Sequence, residues 1–304
     1  MKKLLFLLMM PVLSFGQYTS IPDQNFEQAL IDLGYDDVID GKVLTANINS
    51  VDSLSLEWKN ISDLIGIEDF TALTGLGCSN NQLTSLDVSG CTALLHLNCE
   101  GNQLTSLDVS QNTALTSLDC HLNQLTNLDV SKNTALTRLV CWRNKLTSLD
   151  VSGCTALSEL YCDDNQLTSL HVSKNTALTI LDCNSNKLTN LDVSQNTALT
   201  SLNCRNNQLT NLDVSKNTAL TKLSCGDNQL TNLDVSGCTA LSELYCRNNQ
   251  LTNLDISKNT ALTILACGDN PLTNLDVSKN TALSTLFCDG NKFNCDALKA
   301  KYGL

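Results

Sequence analysis

Eleven cysteines recur every 21 residues, from Cys78 through Cys99, Cys120, Cys141, Cys162, Cys183, Cys204, Cys225, Cys246 and Cys267 to Cys288. Thiols at that density could serve disulfide cross-linking, metal ligation or nucleophilic attack. The spacing argues against each. A period held that strictly is what a chain shows when it coils and stacks every coil on the last, which puts the sulfurs in one column about 4.8 Å apart. Side chains in such a column run parallel, so the β-carbons stay too far apart for relaxed disulfides. There is no CxxC pair, and His96, His121 and His171 do not stand at ligand spacing to any two cysteines. Reduced and buried, the thiols would pack as small apolar groups. Of the fifteen cysteines, Cys288 and Cys295 form the one local pair for which a disulfide stays open. Cys91, Cys154 and Cys238 each follow a glycine and read as small buried turn residues.

Catalytic signatures are missing: the sequence holds no HExxH, GxSxG, P-loop or GxGxxG motif. The expectation is therefore no enzyme, no catalytic residue, no cofactor and no metal. One column of carboxylates needs weighing against this: Asp87, Asp108, Asp129, Asp150, Asp192, Asp213, Asp234, Asp255 and Asp276, with His171 interrupting. Neighbours ~5 Å apart repel by about 0.8 kcal/mol in water, so something must relieve them. Turn amides and the nearby lysines Lys132, Lys174, Lys216, Lys258 and Lys279 are the preferred agents, and bridging calcium is the alternative.

Inside each 21-residue unit lies a quieter repeat. Leu125-Thr-Asn-Leu128-Asp-Val130-Ser-Lys-Asn133 has the same shape as Leu136-Thr-Arg-Leu139-Val-Cys141-Trp-Arg-Asn144. Each half gives an alternating apolar triplet and then an asparagine turn, so two short strands per coil are expected. A lone coil buries too little to repay the ordering of its backbone; only stacking makes the array stable. The column that includes Asn123, Asn144 and Asn165 follows each ladder cysteine (Cys120, Cys141 and Cys162 in those coils) by three residues. A side-chain amide there can satisfy inward-facing backbone groups as both donor and acceptor.

The phrase Leu115, Leu118, Cys120, Asn123 and Leu125 reads LxxLxCxxNxL and resembles the leucine-rich repeat. More narrowly, the chain is similar to the internalin type of secreted bacterial repeat protein, the 21-residue variety with a cysteine ladder. That resemblance implies a curved parallel β-solenoid that binds another macromolecule through the face lined by its strands.

The ends depart from the period. Met1 to Gly16, with Lys2 and Lys3 before the apolar run Leu4 to Phe15, reads as a cleaved export signal, and no later stretch approaches membrane length. Residues 17–50 read as an N-terminal cap, 51–291 as the solenoid of about twelve coils, and 292–304 as a C-terminal cap. Pro22 to Gly34 should form a capped helix with Phe26, Leu30 and Leu33 turned to the open core, and Cys295 to Tyr302 a short closing helix. Losing Lys2 and Lys3 takes the formal net charge from -12 to -14. A body this acidic is a poor match for nucleic acid or anionic lipid, and it is expected to be a monomer outside the cytoplasm: extracellular, at the cell surface or periplasmic.

Differences between coils point to function. The valine halves are nearly monotonous, whereas the cysteine halves vary at the positions that alternate outward. Only 4% of the chain is aromatic, yet Trp142, Tyr161, Tyr245 and Phe287 fall on that face. Tryptophan, tyrosine and arginine most often dominate interfaces. The expected binding residues are His121, Arg138, Trp142, Arg143, Glu159, Tyr161 and Asp163 on adjoining coils, with Arg205, Glu243, Tyr245, Arg247 and Phe287 further along. A protein or peptide is the favoured partner, with a polysaccharide or a ligand-free structural rod as alternatives.

Overall fold

The computed structural model describes residues 16–304, so the expected leader, Gly16 apart, lies outside the described residues. The N-terminal cap begins with β1 (Tyr18–Ser20) and α1 (Gln24–Asp32), followed by β2 (Lys42–Leu44) and the short α2 (Thr45–Ile48). Asp23 caps α1 by accepting from the amides of Asn25 and Phe26, and its other oxygen accepts from Ser62 and Asp63 in the first coil. One side chain thus starts the helix and fastens it to the solenoid. Gly34, at φ 81°, lets the chain turn back so that the Tyr35 amide reaches the Leu30 carbonyl at 2.9 Å. Phe26 and Leu30 close the core as expected, with the Phe26 ring 6.3 Å from that of Phe70. Leu33 does not: it is 46% exposed, because the helix ends before its side chain can turn inward, and Ala29 is buried in its stead. The antiparallel pairing of β1 with β2 is an addition that the helix pattern did not announce.

From there each coil contributes one three-residue strand. These are β3 (Ser53–Ser55), β4 (Gly75–Gly77), β5 (His96–Asn98), β6 (Ser117–Asp119), β7 (Arg138–Val140) and β8 (Glu159–Tyr161), continuing through β12 (Glu243–Tyr245) and β13 (Ile264–Ala266) to β14 (Thr285–Phe287). They pair in parallel, each with the next, into one 12-stranded sheet. Leu118 and Leu139 at the strand centres are wholly buried, and so are Cys120, Cys141 and Cys162 just beyond them. Each ladder cysteine still hydrogen-bonds across coils, as when the Cys120 amide donates to the Val140 carbonyl at 2.9 Å.

The valine half differs from the expected second strand. It forms only isolated bridges, Asp87 with Asp108, Asp108 with Asp129, and Asp150 with His171. The cause is local. Asp129 accepts from the Ser131 amide at 2.9 Å, and the Asn133 amide donates to the Val130 carbonyl at 3.0 Å, so the chain turns before a ladder can run on. The serine hydrogen bonds hold the carboxyls of this column, Asp129 and Asp213 among them, below the usual carboxylate range. That is how the stacked charges are relieved.

The asparagine column after the cysteines does what its spacing implied. Asn165 Nδ2 donates to the carbonyls of Cys141, Cys162 and Asp163 at 3.0, 3.2 and 3.1 Å, while its Oδ1 accepts from the Leu146 amide at 3.0 Å. Asn123 and Asn144 repeat the pattern. Four backbone groups on two coils therefore depend on one amide. In the other turn column Asn112 Nδ2 serves the carbonyls of Val88 and Cys91, but its Oδ1 has no donor. Where Cys91 replaces asparagine its thiol donates to the Ile67 carbonyl, with no oxygen left over. Such turns sit tighter on the coil before, which explains the coupled glycines: a β-carbon at Gly90 would lie 2.2 Å from the Glu68 carbonyl, and one at Gly237 2.8 Å from that of Ser215.

At the far end Asn294 caps α3 (Cys295–Tyr302) by accepting from the Ala297 amide, and Gly303 ends it at φ 71°. The open question about Cys288 and Cys295 is answered, since they are joined with a Cα separation of 5.6 Å. The other thirteen cysteines are free and buried, and burial pushes thiols such as Cys78 and Cys204 up to about 12.

Two outcomes follow from this packing. Asn165→Ala is expected to lower the free energy of unfolding by about 1–3 kcal/mol, read by urea denaturation, because it strands buried amide and carbonyl groups. Alkylation of the denatured, unreduced protein should add thirteen labels by mass, and the folded protein should resist the same reagent.

Candidate recognition face

Side chains that alternate outward from the strands form one surface, and the turn after each cysteine enlarges it. The second residue past the cysteine lies in the left-handed region at coil after coil, with φ 48° at Arg143, 49° at Asp164 and 54° at Asp227. This conformation is costly for residues with a β-carbon. It is held by hydrogen bonds to the next coil, as from the Arg143 amide to the Asp163 carbonyl at 3.0 Å. Its effect is to turn those side chains outward.

The residues expected to act together do meet. His121 stacks on Trp142 with ring centroids 4.0 Å apart, and the Arg143 guanidinium lies 5.4 Å from the Trp142 ring. Arg138 reaches Glu159 at 3.2 Å and Asp119 at 3.7 Å while lying 5.5 Å over Tyr161. Arg143 also pairs with Asp164 at 3.3 Å. Trp142 and Tyr161 stay half-buried in this lattice, so their ring faces are already ordered. Side chains ordered in this way have less entropy left to lose in any further contact.

Asp163 joins the group with a different character. Burial, and then the neighbouring charges of Asp182 and Asp164, push its carboxyl up to about 7 despite Arg143. Further along the face, Arg205, Glu243, Tyr245 and Arg247 fall into two contact groups. Lys222 pairs with Glu243 at 3.3 Å and lies 5.7 Å from the Tyr245 ring, and the Tyr245 hydroxyl donates to Glu243 at 3.1 Å. Arg205 and Arg247 converge on Asp227. Phe287 stands apart on β14, 55% exposed with Ala266 beside it in register, and joins none of these groups. Two contributors escaped the sequence reading: Asp227, which ties two arginines together, and Trp58, 74% exposed at the first coil's left-handed position. Both occupy the second place after the ladder position, a column that strict alternation does not aim outward and that the sequence reading sampled at Arg143. Their shared offset from the ladder is the signal that could have found them.

A family model for leucine rich repeats in two copies matches residues 218–259. No curated protein matches the chain. Among solved structures, the functional domain of InlJ from Listeria monocytogenes, which includes a cysteine ladder, superposes with a TM-score of 0.86 at 42% identity, over 92% of this chain and 63% of that one. The chain is an internalin-like leucine-rich repeat protein. Internalin InlF from the same organism shares the fold, with a TM-score of 0.77 at 24% identity over 93% of each chain. A leucine-rich repeat protein of Leptospira interrogans gives 0.72 at 25% identity, over 92% of this chain and 79% of that one. The chain thus spans 63% of the length of the InlJ domain, and in this internalin-like solenoid no described helix is long and apolar enough to cross a membrane.

The raised carboxyl of Asp163 fixes a pH dependence. A folded value above the unfolded one means that the folded state binds the proton more tightly, so stability is gained as pH falls from about 7 toward about 4 and lost as pH rises through that window. Asp163→Asn should flatten this segment of the stability profile, as followed by thermal midpoints between those values, and should raise the midpoint above pH 7.

Proposed function

We propose that this protein is an exported, non-enzymatic recognition module that binds a protein or peptide through the outward face of its cysteine-bearing strands. Proteins of the internalin-like leucine-rich repeat type are protein-interaction modules. The observation that carries the reading is the cluster around Trp142. There His121, Arg138, Arg143, Glu159 and Tyr161 are locked by stacking, cation–π contact and ion pairing, with Asp163 at its margin. Large aromatic and arginine side chains held in place before contact are what a hot spot requires. Arg205, Glu243, Tyr245 and Arg247 offer a second contact region along the same face, and Phe287 a detached apolar one.

Export rests on the basic and apolar leader Met1–Gly16. On this reading the mature chain acts outside the cytoplasm, extracellular, at the cell surface or periplasmic, and as a monomer. A polysaccharide partner is the second reading, favoured by a groove lined by Asn184, Ser185, Arg205, Asn206, Asp227 and Asn248, whose amides, hydroxyl and charges suit sugar hydroxyls.

A pulldown of proteins set against a glycan array, both with the chain lacking its leader, separates the two. With the partner in hand, Trp142→Ala combined with Tyr161→Ala should weaken binding at least about tenfold, since hot-spot truncations cost ~2 kcal/mol or more. The thermal midpoint should stay nearly unchanged, and equal binding by the parent and the double variant would refute the patch.

A further inference from the structure

Next to the stacked tryptophan, Glu100, Asp119 and His121 each bring one donor atom within 4.8 Å of the other two, the one such group of potential metal ligands among the described residues. Their roles are unequal. Asp119 Oδ1 binds His121 Nδ1, and its Oδ2 faces Arg138 at 3.7 Å. Asp119 engages Nδ1, which leaves Nε2 as the nitrogen that can take an ion in place of a proton. Nε2 lies 3.4 Å from Glu100 Oε2, while Glu100 Oε1 accepts from Asn80 Nδ2 at 3.3 Å. Two ligands about 2.0–2.2 Å from one tetrahedral ion stand roughly 3.3–3.5 Å apart. The pair is already at that separation.

We propose that His121 Nε2 and Glu100 form a site for a divalent transition-metal ion of the zinc class, with Asp119 as the residue that orients the imidazole. A carboxylate faces each nitrogen, so Asp119 can hold the Nδ1 proton while an ion bound in place of the Nε2 proton is met by Glu100. Imidazole with carboxylate suits zinc or cobalt better than calcium, which takes oxygen alone. A carboxylate behind the ligating ring is the usual support of metal-bound histidine. Trp142 covers one face of the imidazole, and the His121 side chain is 12% exposed, so the ring is held for the ion. Two protein ligands leave the remaining positions of a four-coordinate ion to water or to a donor from another molecule. Local ligand spacing could not reveal the site, because Glu100 and His121 come from successive coils, 21 residues apart.

The site needs no partner, so its test is independent of the recognition reading. The untagged chain, stripped with chelator, is titrated with zinc by calorimetry and with cobalt by fluorescence in a Trp58→Phe background, where Trp142 is the remaining indole. One equivalent of zinc and quenching of Trp142 by cobalt are expected. His121→Ala and Glu100→Gln should abolish both signals, whereas Asp119→Asn should weaken affinity about 10- to 100-fold without removing the site. His96→Ala and His171→Ala should bind as the parent does, and circular dichroism checks that each variant is folded. Absence of zinc binding by the parent, or undiminished binding by either His121→Ala or Glu100→Gln, would overturn the assignment.

Discussion

Everything in this molecule depends on backbone groups at the turns being satisfied by the adjoining coil. A coil of 21 residues leaves inward carbonyls and amides at its corners, where neither strand pairing nor water reaches them. The asparagine column answers that need, with each side chain bridging its own turn and the one before. The period cannot slip, because a shift of one residue would unpair that bridge and turn leucines outward at the same time. Cysteine fits the adjoining column because the space beside the amide is narrow and apolar, and burial leaves its thiol unreactive.

This scaffold separates the positions that stabilise it from the positions that vary. Inward positions repeat with little change, while the outward positions of β6, β7 and β8 carry histidine, arginine, tryptophan, glutamate and tyrosine in mutually supporting pairs. The left-handed turn residues widen the display by aiming charged groups such as Arg143 and Asp227 to the side of the strand face. Because their cost is offset by hydrogen bonds between coils, the surface inherits its rigidity from the stack.

Much of this was legible before any coordinates. Repetition averages out local ambiguity, so the coil length, the buried cysteines and the role of Asn123, Asn144 and Asn165 could be read from spacing alone. The cluster of His121, Arg138, Trp142, Glu159 and Tyr161 was legible for the same reason, since register fixes neighbours. Where repetition fails, so did the reading. Leu33 lies in a cap with no second copy to compare, and the valine half looked like a strand because its alternation is real, although each aspartate ends it by capping the serine two residues on. Asp227 and Trp58 were missed although Arg143, at the same offset, was not, because alternation alone does not say that a positive φ turns the whole column outward.

The free, unlinked coils carry an evolutionary implication. Apart from the disulfide between Cys288 and Cys295, which ties the last coil to α3, no side-chain cross-link joins one described turn to another, and each turn's partners lie in adjacent turns. Unequal recombination that gains or drops a whole unit would leave every remaining contact intact, lengthening or shortening the display without redesign. Such a gene can change its reach in single steps, keeping both ends as they are.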